Sequence, residues 1–252
     1  MNNILLIIFF FLMVIVGKKR GLKLFFSLFL NFVVLMVLFY LIGIGLNAVL
    51  IAFLGCFVIS YIILYCLNGK NEKTMSSMQS IILVLILLAF LIFGVTHLTR
   101  IAGFGYESYE EINMFSYDVK LDFTNVTIAL ILIGLIGATI DTSMAISSAL
   151  FEVFEHNPHF TKSQLYHSGI TIGKDILGTT ANTLFFAFLG EFMTLLIWFQ
   201  SGHYSFLEIV NSKTFCAQLI PILFSGIGCI LVIPITAYIT ATKLVKPNII
   251  SS

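Results

Sequence analysis

The residues able to do chemistry lie in two apolar stretches of the second half of the chain. Asp141 interrupts GATIDTSMAISS (137–148), and Asp175, Thr179, Thr180, Asn182 and Glu191 punctuate KDILGTTANTLFFAFLGE (174–191). A carboxylate inside a membrane span is costly, and in general it faces protein or a water-filled cavity and serves a function. The chemistry such a set offers is uptake and release of a proton or ion by Asp141. Thr179, Thr180 and Asn182 are candidate hydrogen-bond donors from a facing helix, and Asp175 and Glu191 are further acids on the same path. Gly134, Ala138, Asp141, Ala145 and Ser148 recur at intervals of three or four residues and share one helical face. Small residues permit close helix approach in lipid, so this face is expected to meet another helix, with Asp141 against it. Gly137, Gly178, Gly226 and Gly228 are read as packing positions on the same ground. A plainer reading also stands for Asp175: a place near the cytoplasmic boundary, paired with Lys174 or Lys162.

Other reactive residues do not converge. Cys56, Cys66, Cys216 and Cys229 all fall in apolar runs without CxxC spacing and read as small hydrophobes. His156, His159 and His167 cluster between two apolar segments, but a metal site needs three or four converging ligands. They read as solvated histidines, and neither a metal nor a cofactor is expected. No HExxH and no Ser/His pair lies on an apolar segment. An intramembrane aspartyl pair would need Asp141 and Asp175 at one depth, whereas the sequence places the second near the membrane edge. The chain is therefore expected not to be an enzyme.

The elements that must position these residues follow from composition. The 252 residues are 59% hydrophobic and only 10% charged, where a soluble domain carries roughly 25% charged residues. Apolar runs near 4–16, 24–44, 46–67, 77–97, 125–151, 173–199 and 214–242 approach or exceed the ~20 residues a helical span requires, the first being short. The expected fold is all-α: a single integral membrane domain, 1–252, of about seven transmembrane helices. With loops alternating from outside, the inner side receives Lys18, Lys19, Arg20, Lys23, Lys70, Lys73, Lys162, Lys174, Lys243 and Lys246. The outer side receives Arg100, Lys120 and Lys213. This bias places the N-terminus out and the C-terminus in. The basic cluster follows the first apolar run instead of preceding it, so that run does not read as a secretory signal. A formal net charge of +1 gives no reason to expect a nucleic-acid partner; the expected surroundings are the lipid bilayer.

Local signals refine the connections. Gly43 to Leu46 leaves room only for a tight helical hairpin. The extracytoplasmic loop 98–124 alternates Phe104, Tyr106, Tyr109, Phe115 and Tyr117 with acids, the composition of an interfacial flap or of a lid. In the cytoplasmic loop 152–172, Asn157-Pro158 ends one helix. Thr161 and Gln164 have capping-box spacing for a short helix that Gly169 is expected to end. Pro221 and Pro234 flank Ser225-Gly226-Ile227-Gly228, the makings of either a hinge or a fixed kink.

The motifs GATIDTSMAISSALFE (137–152), HNPHFTKSQLYHSG (156–169) and IGKDILGTTANTLFFAFLG (172–190), with the Ser-Gly-Ile-Gly to Pro-Ile-Thr stretch (225–236), resemble the YibE/F family of bacterial multi-span membrane proteins. The early KKRGLK and the LDF before 125 also fit. The likeness covers nearly the whole chain and implies the bacterial cytoplasmic membrane. Longer relatives carry an extracytoplasmic part, so the resemblance further implies a separately encoded membrane or extracytoplasmic partner. GATID, Glu152 and the run Asp175-Ile-Leu-Gly-Thr179-Thr180 are also similar to the SecD/SecF and resistance-nodulation-division permease core. In that core matching positions line a proton pathway. The chain departs from those exporters in having no large extracytoplasmic domain between spans. Two functional classes follow: a permease or transporter subunit coupled to a proton or ion gradient through Asp141, or a non-transporting assembly subunit in which the polar stripe fixes helix register and partner choice.

Overall fold

A computed structural model describes residues 2–99, 101–103 and 121–245, and every regular element within them is helical. The order is α1 (Asn2–Gly43), α2 (Ala48–Tyr61) continued by a π turn (Ile62–Cys66), α3 (Glu72–Thr99), α4 (Phe123–His156), α5 (Lys162–Ser201), the short α6 (Phe206–Asn211) and α7 (Lys213–Leu244). Six helices are long and apolar enough to cross a bilayer. The all-α membrane bundle expected from composition is therefore what the chain forms. The aromatic loop residues from Phe104 to Tyr117, with Arg100, Lys120 and Lys246, lie outside the described residues.

α1 is two rods, which reconciles seven apolar runs with six long helices. Lys18 leaves helical geometry, at φ 48° and ψ −129°. The Phe10 and Phe25 rings meet edge to face with centroids 4.7 Å apart, where an unbroken helix would separate them by about 22 Å at 1.5 Å per residue. A side chain at Gly21 would strike the Met13 carbonyl. The chain thus reverses at one residue, and 2–17 runs back along 19–43. The first rod reaches about 24 Å, short of a ~30 Å hydrocarbon core.

Polar residues set the helix boundaries. Asn47, Asp122, Thr161, Ser205 and Ser212 each cap a helix start with a side-chain oxygen that accepts from the backbone, satisfying N–H groups that the helix itself leaves unpaired. Gly45, at φ +92°, makes the turn between α1 and α2. Thr161 and Gln164 form the expected capping box, and α4 ends at His156 just before Asn157-Pro158. One expectation for this region is corrected: α5 does not stop at Gly169 but continues to Ser201, and the turn joining α4 to α5 is residues 157–161. Gly169 is an approach point instead of a cap: a Cβ there would come within 2.7 Å of the Ala237 Cβ. α7 remains helical through Pro221 and Pro234.

α4 is the central rod, packing on α2, α3, α5 and α7. One core cluster joins α2, α3, α4 and the middle of α7. A second joins the ends of α4 and α7 to the start of α5 through Leu150, Leu165, Ile233 and Ala237. A third sets Phe188 and Phe192 of α5 against Phe215 of α7. α5 is therefore held near both ends by α7, with α4 joining at the first, and much of its middle lies open.

Candidate functional site

The best-packed polar chemistry of the bundle is a hydroxyl seam between α3, α4 and α7. Ser147 Oγ donates to the Lys73 carbonyl at 2.9 Å. Ser143 Oγ donates to the Ser77 carbonyl at 3.4 Å, and Ser77 Oγ returns a bond to the Ser143 carbonyl at 3.3 Å. The Ser143 hydroxyl also meets Thr236 Oγ1 at 3.1 Å, and Thr142 Oγ1 donates to Cys229 Sγ at 3.5 Å. Gly228 brings α7 against Thr139: a Cβ at Gly228 would sit 3.0 Å from Thr139 Oγ1. Thr139, Thr142, Ser143, Ser147 and Thr236 are all buried. Short hydroxyl side chains let the helices approach and still give each oxygen a partner, which is how polar residues join helices in lipid.

Asp141 is not in this seam. Successive residues of a helix turn by about 100°, so positions 141 and 143 point to nearly opposite sides. The Ser143 side is buried, whereas Gly134, Gly137, Asp141 and Ala145 are exposed and Ala138 is half-buried. The expectation that this small-residue stripe packs on another helix of the same chain is thereby overturned. A Cβ at Gly134, Gly137, Gly178 or Gly226 would meet no neighbour. Of the expected packing glycines, Gly228 alone closes a helix contact. Gly55, Gly169 and Gly173 do so without having been expected to, meeting Leu38, Ala237 and Ile233.

The acids of α5 are open as well. Asp175, Thr179, Asn182 and Glu191 are exposed, and Thr180 is half-buried. Asp175 pairs with neither lysine named for it. The Lys162 ammonium stands 3.9 Å above the Tyr238 ring, and Lys174 is exposed. Thr179 and Thr183 hydroxyls donate to their own helix, to the carbonyls of Ile176 at 2.9 Å and Thr179 at 3.0 Å. They are thus satisfied without any facing group. Asp141, Asp175, Asn182 and Glu191 make no hydrogen bond or ion pair among the described residues.

Depth brings two of these acids to one level. Leu150 and Gly169 touch where α4 and α5 pack. From that contact, at 1.5 Å per residue, Asp141 lies about 13 Å and Asp175 about 9 Å towards the opposite face of the membrane. Measured along the helices, they differ by less than one helical turn. Glu191 stands about 24 Å beyond Asp175 along α5.

The result is an open surface on each of two rods long and apolar enough to cross a membrane: Gly134, Gly137, Asp141 and Ala145 on α4, and Asp175, Thr179, Asn182 and Glu191 on α5. The seam carries no charge to mark it in an apolar run; its signal in the sequence is Ser77 facing Thr139, Thr142, Ser143 and Ser147, which recur at helical spacing, and Thr236.

Comparison with characterised proteins and with solved structures finds no match. A family model described as YibE/F-like protein matches residues 5–246, from the first rod to the end of α7. A match over nearly the whole chain, on a bundle of six long apolar helices, places this protein in the YibE/F-like family.

Proposed function

We propose that the chain is a membrane subunit of a permease whose conduit runs along the open α4/α5 face and is completed by another protein. The observation that carries this reading is the position of Asp141: at membrane depth, exposed, and on the side of α4 opposite its packed seam. An unpaired carboxylate facing hydrocarbon is costly. A partner seated on the small-residue stripe would remove it from lipid and supply the donors that the described residues do not. Asp141 would then exchange a proton or ion, with Asp175 at nearly the same depth as a second station. No covalent chemistry is part of the proposal: an aspartyl pair working as an acid and base shares a proton between adjacent carboxylates, and these two share a level without a contact.

One observation favours the other reading, an assembly subunit without flux. The seam between α3, α4 and α7 is filled by buried hydroxyls bonded across it, which is how polar residues join helices in a purely structural interface. Proton flux separates the two. Vesicles containing the chain and whatever protein co-purifies with it are given a membrane potential, and entry is read with a pH-sensitive dye. A permease gives flux that Asp141→Asn removes while the complex persists. Flux undiminished by Asp141→Asn eliminates Asp141 as the coupling group. Absence of flux, with Asp141→Asn dissolving the complex, selects the assembly subunit.

A further inference from the structure

The reversal at Lys18 brings Lys19, Arg20 and Lys23 to one cavity of 460 Å³, whose remaining wall is Leu67 and Asn68 after the π turn. Positions 20 and 23 lie one turn apart on the rod that leaves the reversal, and position 19 adjoins them. Asn68 is a positioned wall: its amide donates to the Ile63 carbonyl at 3.4 Å, and its own carbonyl accepts from the Asn71 amide at 3.1 Å. No carboxylate lines the cavity. None of the three cations forms an ion pair among the described residues. Apolar surface continues from the site along both arms of the hairpin, with Val16 82% and Phe26 61% exposed.

We infer that this cavity binds the phosphate headgroup of an anionic phospholipid, with the acyl chains lying along the exposed rods of α1. Three converging cations match a phosphate. An Arg fork can take two of its oxygens while Lys ammoniums act as point charges. Basic pockets between helices at a membrane boundary favour anionic headgroups. The site lies on the side with the Lys/Arg excess, where the ends of α2, α4 and α7 also gather. The bare apolar rods beside it decide for a lipid over a soluble phosphate: only an amphiphile would cover both. The site is separate from the α4/α5 face, so neither proposal rests on the other.

The full chain in a neutral detergent tests this by thermal unfolding against added phosphatidylglycerol or phosphatidylcholine of the same acyl chains. The midpoint is expected to rise with phosphatidylglycerol concentration, as preferential binding to the folded state requires, and not with phosphatidylcholine. K19Q/R20Q/K23Q is expected to lose that rise, while K70Q/K73Q/K174Q, which removes as much charge elsewhere, keeps it. Should the first triple variant fail to fold, R20K preserves charge and removes the fork, and its rise is expected to be at least halved. Equal stabilisation by both lipids, the same rise from inorganic phosphate alone, loss of the rise in the control triple variant, or an unaltered rise in R20K would each overturn the inference.

Discussion

At the scale of single residues, two kinds of polar side chain divide α4. Ser143 is buried, and its hydroxyl bridges α3 and α7. Ser143→Ala leaves Thr236 Oγ1 without the partner it has across the seam. Inter-helix hydrogen bonds in membranes average about 0.6 kcal/mol and reach roughly 2. The variant is expected to lose about 1 kcal/mol in a micelle denaturation series, within that range. Asp141→Asn breaks no bond among the described residues and is expected to leave the same transition of the isolated subunit in place. A large loss from Asp141→Asn would mean that the acid is held inside the bundle after all. The acids themselves were legible in the sequence, because charge in an apolar run stands out against its neighbours. Their direction was not. Small residues such as Gly134 and Ala145 read equally well as a face for a helix of the same chain or of another, and the pattern contains nothing to separate those cases.

At the scale of elements, glycine has opposite meanings at two positions of α5. Gly169 lies under Ala237, whose Cβ and Cα would be 2.7 and 3.4 Å from an added methyl. Gly169→Ala is expected to push α5 from α7 and cost about 1–3 kcal/mol, as overpacking does. Gly178 faces open space, and Gly178→Ala is expected to gain up to about 1 kcal/mol of helix propensity. Thermal midpoints of the two variants should therefore move in opposite directions; a shared direction would contradict the packing described. The long apolar helices, the Asn157-Pro158 stop and the Thr161 capping box were readable because they depend on neighbours in sequence. Gly169 was misread as a helix end because a terminating glycine and a packing glycine look alike until Ala237 is in view. The π turn at Ile62–Cys66 left no sequence signal, its residues being as apolar as the helix before it.

For the whole molecule, the ends of the rods sort onto two sides. Lys73 of α3 meets Ser147 of α4, and Lys162 of α5 meets Tyr238 of α7. At the other end, Asn47 shares a small cavity with Asp122, and Lys213 approaches Gly103. The lysine-rich side is expected to be cytoplasmic. A cysteine at position 70 (K70C) should react with a membrane-impermeant thiol reagent only after cells are opened, and one at position 206 (F206C) in intact cells, each in a background free of the native Cys66. Reversed labelling would invert the topology. The hairpin of α1 has its own measurement: F10C/F25C should close an intrachain disulfide under mild oxidation, which a straight 42-residue helix would forbid.

A one-residue vertex leaves no slack between the rods it joins. Inclining 19–43 to suit a thinner or thicker bilayer must swing 2–17 about Lys18, as one arm of a set square moves the other. The cations beside that corner would travel with both arms, so the fold predicts a mechanical link between membrane thickness and the charge presented at the surface.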